Sequence, residues 1–540
     1  MRFAITKPGF PHDHTITAPG DGMSALTSRR GAPLLIRMVS TNPDVHVREL
    51  PPRPDYLLYH LDFGRTLYLA DTDDVLYVRF ARPMKSRTTA AELIRFLRNY
   101  ATRDQLVILE ISSLSSEIQF ERLISPFPNW ALARTRELER GLRVNGWETT
   151  VAAVLRAGIP RERLNPYQYR GAVTGNRFFG RERQVEALMR RPRLSHLVTG
   201  PRMSGKTSLL LEARRRLHDY YSARVPISYI DCRAVVSLPD LIHLILLQIE
   251  ERSSFARVER WQTPQRWPQF FSYLRGRVGR SADRRLYLFF DEYDAIVEME
   301  RRSEFHFTWH LRALHQNNSQ ERGIIQMVFA GSKRLAASQK NLASGLHNFV
   351  NTEECRLDNF DLTTIRHAVE RPVQDLGFAL EDPPVLAEAI LDETGGRPVS
   401  VQFVCHEMVR RLIETGREVL THEIFREIVS GRQYREFYAT TLWENCDTLD
   451  HFILALGARF PASTAGFTLG DVIAECQRLG MRVHESFVYE SFENLENAGF
   501  LVSDWRPPDG TSFRFSAPVV REIAAGMDPA RIAQRMVFEE

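Results

Sequence analysis

Four short apolar runs mark the middle of the chain: Leu194–Thr199, Val225–Asp231, Arg285–Phe290 and Gly323–Gly331. Arg285–Phe290 is continuously apolar after its first residue, the pattern of a parallel strand buried on both faces, and the other three read as its neighbours. Between them, Ser208–Arg214 is a good helix former, and Leu241–Ile249, interrupted by His243, suits a core helix. Strands alternating with helices predict an α/β domain around a parallel sheet.

The flanks read differently. Residues 1–33 are rich in Gly, Pro, Ser and Thr with little apolar pattern, and read as a mobile segment. Residues 34–164 predict a separate small α/β domain. Its strands are expected at Leu34–Val39, Tyr56–Leu61, Thr66–Ala70, Val75–Phe80 and Gln105–Ile111, with an amphipathic helix over Thr89–Tyr100. A helical stretch over 356–435 follows the central strands. Residues 440–528 then predict helices at Leu449–Leu456, Leu469–Leu479 and Glu485–Ala498, and strands at Phe500–Ser503 and Ser512–Phe515 about a Pro507–Gly510 turn. That is the order of a winged helix.

The chemistry sits at the ends of the central strands. Gly200-Pro-Arg-Met-Ser-Gly-Lys-Thr207 is a complete G-x-x-x-x-G-K-[ST] loop between an apolar run and a helix former. Gly200 and Gly205 let the backbone bend so that the cradle (Gly200, Pro201, Arg202, Met203, Ser204, Gly205, Lys206, Thr207, Ser208) wraps a polyphosphate, with the N–H groups of all but Pro201 available to face it. The following helix N-terminus adds to that field. Lys206 is expected to reach the outer phosphates, and Thr207 to hold Mg²⁺. Arg285–Phe290 ends in Asp291-Glu292, an acidic pair at the carboxyl end of a parallel strand, where open α/β sheets bind ligands. Asp291 is expected to bind Mg²⁺ and Glu292 to activate water, so the catalytic pair is Lys206 and Glu292. Asp294 reads as the N-cap of the next helix.

A family resemblance follows from these residues. A further strand beside a catalytic glutamate resembles the additional-strand branch of P-loop ATPases, which implies a sensor-1 position for Ser332 near the γ-phosphate. Asn165-Pro-Tyr and Phe178-Phe-Gly-Arg-Glu-Arg183 resemble the box that precedes the phosphate loop in AAA+ and STAND ATPases, implying that Phe179, Gly180 and Arg181 pack against adenine. Thr394-Gly-Gly-Arg-Pro-Val-Ser-Val-Gln402 opens a helix and resembles the Gly-x-Pro element of STAND ATPases and the sensor-2 region of AAA+ proteins, which places Pro398 at the nucleotide. The resemblance implies an α/β fold built on a P-loop NTPase parallel sheet, with an ATPase core over 165–355, a helical lid over 356–435 and a C-terminal winged helix over 440–528. The implied cofactors are ATP and Mg²⁺, and the implied activity is a slow Mg²⁺-dependent ATPase.

Composition changes the picture little. The 540 residues hold 71 Lys and Arg, of which five are lysine (Lys7, Lys85, Lys206, Lys333, Lys340), against 67 Asp and Glu. A lysine in the phosphate loop of so arginine-rich a chain is what phosphate chemistry asks for, since the two side chains are not interchangeable. Five scattered cysteines read as free thiols, no apolar stretch reaches a membrane span, and the first residues lack a signal-peptide core, so a cytoplasmic location is expected. Asp71–Asp74 reads as a hairpin turn rather than a metal site, His306 and His310 as packed or solvated side chains. The arginine clusters at 214–216, 275–277 and 284–285 read as helix faces.

Two functional classes remain. One is a STAND-like switch whose nucleotide state governs self-association or a protein partner; little chain follows the winged helix, so sensing would fall to residues 34–164 or to that partner. The other is a DNA-associated AAA+ ATPase, an initiator or transposition regulator. Glu485, Glu490, Glu493 and Glu496 on the expected third helix would repel phosphates, which counts against DNA.

Overall fold

The computed structural model describes residues 32–51, 56–64, 66–80, 94–97, 101–102, 105–112, 124–191, 194–221, 224–249, 267–280, 283–302, 307–308, 311, 324–332, 335, 352–461, 466–481, 483–506 and 510–538. They form two compact units that divide between Leu164 and Asn165. The expected mobile segment, save its last two residues, and the His306–His310 pair lie outside the described residues.

The first unit carries α1 (Leu34–Val39), β1 (His46–Glu49), β2 (Tyr56–Asp62), β3 (Val75–Phe80), β4 (Leu106–Ile111), β5 (Trp130–Arg134) and α2 (Thr135–Gly158). The sheet runs β1-β2-β3-β4-β5, antiparallel across the first three strands and parallel across the last three. Two expected strands are absent. Leu34–Val39 is a helix: Leu35, Ile36 and Val39 form one buried face, and Ser40 Oγ closes the end by donating to Ile36 O at 2.6 Å. An apolar run this short fits either period, and packing decides it. Thr66–Ala70 belongs to the turn region between β2 and β3, where the Thr72 hydroxyl donates to Leu67 O and Leu69 O. The Asp71–Asp74 cluster lies in that same connection.

The second unit holds the central sheet. Its elements are α3 (Glu182–Arg190), β6 (Ser195–Thr199), α4 (Lys206–Tyr221), β7 (Ile227–Asp231), α5 (Leu238–Ile249), α6 (Trp267–Arg280), β8 (Arg285–Asp291), α7 (Asp294–Arg301), β9 (Ile324–Gly331) and β10 (Thr352–Arg356). All five strands are parallel, in the order β10-β6-β9-β8-β7. Alternation along β8 explains why so apolar a strand is stable. Leu286, Leu288 and Phe290 pack with α5 and α6, whereas Tyr287 and Phe289 pack with α3 and α4. Each face removes apolar surface from water at roughly 25 cal/mol per Å².

Helices α8 (Leu362–Asp375), α9 (Pro383–Thr394), α10 (Pro398–Thr415), α11 (His422–Ser430) and α12 (Arg432–Asn445) follow. The turn between α9 and α10 requires its glycines. Gly395 and Gly396 have φ of +59° and +70°, and a Cβ on Gly396 would strike Phe360 O. Then come α13 (Thr448–Gly457), β11 (Phe467–Thr468), α14 (Leu469–Arg478), α15 (Glu485–Ala498), β12 (Leu501–Arg506) and β13 (Gly510–Phe515), with the small sheet ordered β11-β13-β12. Among the described residues no helix is long and apolar enough to cross a membrane.

One buried side chain makes stability depend on pH. His196, on β6, is buried, and desolvation pulls its pKa from 6.5 down to about 4 despite Glu353 at 3.9 Å and the Arg191 backbone beside it. The unfolded chain therefore takes up a proton near 6.5 that the folded chain refuses until about 4. Stability is full above that window and falls as pH drops through it, approaching about 1.4 kcal/mol per pH unit. Melting curves at pH 7 and pH 5 should show a smaller acid loss for His196→Leu than for wild type; equal losses would contradict the assignment.

Candidate nucleotide-binding site

The phosphate loop joins β6 to α4, and its two glycines serve different ends. Gly205 has φ +93°, with open space where a Cβ would stand, so conformation alone demands glycine. At Gly200 the demand is room, because a Cβ would lie 2.8 Å from Ser204 Oγ and 2.9 Å from Leu357 O. The Ser204 hydroxyl is buried with no hydrogen-bond partner, a donor left over inside the loop. Lys206 is only 6% exposed, and its ammonium donates to Gly200 O and Pro201 O, each at 3.0 Å. Burial holds it below the usual lysine range, against the pull of Glu292, Asp291 and Asp294. A desolvated cation served by neutral carbonyls gains from an anion placed beside it.

The acidic strand stands two places away in the sheet. Sequence order puts β7 between the two motifs, but in space β9 separates β6 from β8. Asp291, 2% exposed, accepts from Thr207 Oγ1 at 2.7 Å and from the Tyr229 hydroxyl at 2.8 Å, both on Oδ2. Its Oδ1 accepts the Glu292 N–H at 3.1 Å. Hydroxyl and carboxylate oxygens suit Mg²⁺, which is held by one or two carboxylates together with substrate phosphates rather than by a protein cage. The described residues contain no cluster of three His, Cys, Asp or Glu able to hold a metal by themselves.

Glu292 lines the cleft from a left-handed backbone, φ +50°, a conformation that costs a non-glycine residue roughly 1 kcal/mol or more. The turn beyond it is bolted to the tip of β9. Tyr293 N–H donates to Ala330 O at 2.8 Å, and the Asp294 carboxylate accepts both the Ser332 N–H at 2.8 Å and its hydroxyl at 2.9 Å. Asp294 is therefore not the N-cap of α7: Tyr293 occupies that position, and the Asp294 carboxylate is taken by the neighbouring strand. Ser332 stands at the strand tip, with its hydroxyl turned to Asp294.

Beside the loop lies a cleft of about 500 Å³, a size suited to a small molecule. Of the residues singled out from sequence, Phe179, Arg181, Arg202 to Ser208, Glu292 and Pro398 line it; Gly180, Gly200, Pro201, Asp291 and Ser332 do not. Gly180 (φ +71°) lies behind the wall, against Phe360 and Thr364. Arg181 stacks on the Phe360 ring at 5.0 Å and donates to Asp358 O. Val399 and Gln402 of the 394–402 element line the cleft too, whereas sequence reasoning missed Gln168, Tyr169 and Phe360, whose residue types carry no distinctive signal. In the 214–216 arginine cluster, Arg215 and Arg216 clamp the buried Glu212, which also accepts the Gly175 N–H, so these two are structural.

The C-terminal segment touches the loop from outside. Arg202 N–H donates to Asn497 O at 2.6 Å. Arg397, buried in the turn before α10, donates to Ala498 O at 2.6 Å, reaches Arg202 O at 3.5 Å and lies over the Phe500 ring at 5.3 Å. The end of α15 is thereby tied to the phosphate loop, a contact no local sequence signal announces.

Residues 164–448 match the family described as Novel STAND NTPase 1. No curated protein matches the chain. Among solved structures, the ORC2 protein of Aeropyrum pernix in ADPNP–ADP complexes is similar at 16% identity, covering 66% of this chain and 95% of that one, with a TM-score of 0.45. Drosophila ORC bound to DNA is similar at 13% identity, covering 68% and 92%, TM-score 0.35. The RuvB Holliday junction branch migration motor of Thermotoga maritima is similar at 16% identity, covering 64% and 96%, TM-score 0.36. These likenesses are too distant to bear on function.

Proposed function

The chain belongs to the Novel STAND NTPase 1 family, and from that membership we propose that it is an ATP-binding and ATP-hydrolysing switch whose nucleotide state governs assembly or signalling. The observation that carries this reading is the Thr207–Asp291 hydrogen bond of 2.7 Å beside a buried Lys206. Residues from two distant segments meet where a nucleotide's phosphates would lie. Lys206 would neutralise the outer phosphates, and the loop amides with Ser204 Oγ would hold the others. Thr207 and Asp291 would hold Mg²⁺, which when bound supplies positive charge at the phosphate oxygens. Glu292 would orient the attacking water and accept its proton. Phe179, Arg181 and Pro398 would flank the base.

In this reading residues 165–355 are the ATPase core, 356–435 the lid and 440–528 a winged helix that reports nucleotide state. The link is the clasp through Arg397, because a loop that moves to grip phosphate must move the backbone of Arg202. Each hydrogen bond from a charged donor is worth about 1.5–3 kcal/mol. Arg397→Ala is accordingly expected to speed ADP release by about tenfold or more and to let the chain assemble with ADP bound. Stopped-flow release and size-exclusion chromatography of the full chain with ADP and ATP measure both. Wild type should elute as a larger species with ATP than with ADP. Elution independent of nucleotide would remove the switch; tight duplex-DNA binding with a steep salt dependence would replace it by the DNA-associated reading.

A further inference from the structure

We propose that Tyr229 is a positioning residue for the metal-binding carboxylate of Asp291, an inference that rests on the ATP–magnesium reading of the site. Along β7 and β8 the register pairs Tyr229 with Phe289 and Asp231 with Asp291. Tyr229 and Asp291 therefore share one face of the sheet, offset by two residues, roughly 6.6 Å along the strand. A phenol is long enough to span that offset, and its hydroxyl arrives 2.8 Å from Asp291 Oδ2.

The carboxylate is consequently held from three sides: Thr207 from α4, Tyr229 from β7 and the Glu292 amide from its own chain. Thr207 is expected to turn its oxygen to the metal, and Glu292 to the water. The Glu292 contact is a backbone amide, so the phenol is the side-chain contact to this carboxylate with no other duty in the site.

Tyr229 is itself fixed more firmly than an edge-strand residue needs to be. Gln248 caps both its backbone groups, accepting the N–H at 2.6 Å and donating to the carbonyl at 2.5 Å. The Arg214 guanidinium lies over the ring at 6.0 Å. Groups that orient a metal's ligands from behind typically govern affinity by 10–100-fold when removed.

The test is the Mg²⁺ dependence of ADP binding to the full chain, followed by calorimetry with MgCl₂ titrated from an EDTA baseline. Tyr229→Phe removes one oxygen and keeps the ring. It should leave ADP binding in EDTA unchanged and raise the Mg²⁺ concentration for half-maximal tightening by about tenfold. In an Asp291→Asn background the same substitution should have no further effect, because the group being aimed is gone. An unchanged Mg²⁺ midpoint in Tyr229→Phe, or effects that simply add in the double variant, would overturn the inference alone. A wild-type chain that binds ADP with no response to Mg²⁺ would overturn the site reading, and this inference with it.

Discussion

Lys206→Ala is expected to weaken ATP binding by roughly 100-fold or more. The ammonium is buried at the phosphate loop, and burial already holds it below the usual lysine range. Folding thus keeps a desolvated charge in place, its hydrogen bonds going to the carbonyls of Gly200 and Pro201 and its counter-charges being Glu292, Asp291 and Asp294. Contacts from such a charge to phosphate oxygens are worth about 1.5–3 kcal/mol each, and two of them amount to a loss of roughly 100-fold or more. Because the desolvation of the side chain outweighs the pull of the nearby carboxylates, its removal should change the melting temperature little. Calorimetric titration of ATP, paired with a melting curve, checks both halves. Unchanged affinity would refute the assignment of the loop.

Glu292→Gln is expected to keep ATP affinity within about threefold while slowing hydrolysis by about two orders of magnitude or more. The amide matches the carboxylate in shape but cannot take a proton from water. The exchange is clean for a structural reason: glutamine carries the same Cβ into the left-handed backbone at φ +50°, so strain is unchanged. Glu292→Gly supplies the converse. It should relieve roughly 1 kcal/mol of strain and raise the melting temperature while hydrolysis is still lost. A fold that keeps a strained glutamate at this position trades stability for where its carboxylate points. Turnover equal to wild type in Glu292→Gln would demote the residue to a structural acid.

The central sheet and its loop were legible in the chain because their signals are short and self-contained. The strands expected at Arg285–Phe290 and Gly323–Gly331 appear as β8 and β9 with ends shifted by a residue, and the helices expected at 449–456, 469–479 and 485–498 appear as α13, α14 and α15. The first unit was read less well. Leu34–Val39 formed a helix, and β1, β5 and α2 carried no pattern strong enough to find. Gly146, with φ +77°, interrupts α2 and blurs its period.

Local sequence decided the glycine bend, the lysine within it and the acidic pair at a strand end, since each depends on backbone geometry and residue type within a few positions. Tertiary packing alone decided that β9, not β7, would lie between loop and acid, that Tyr229 would reach Asp291, and that Arg397 would tie α15 to Arg202. Those contacts join segments far apart along the chain. Their partners are chosen by how whole faces bury apolar surface, which no short stretch of residues encodes.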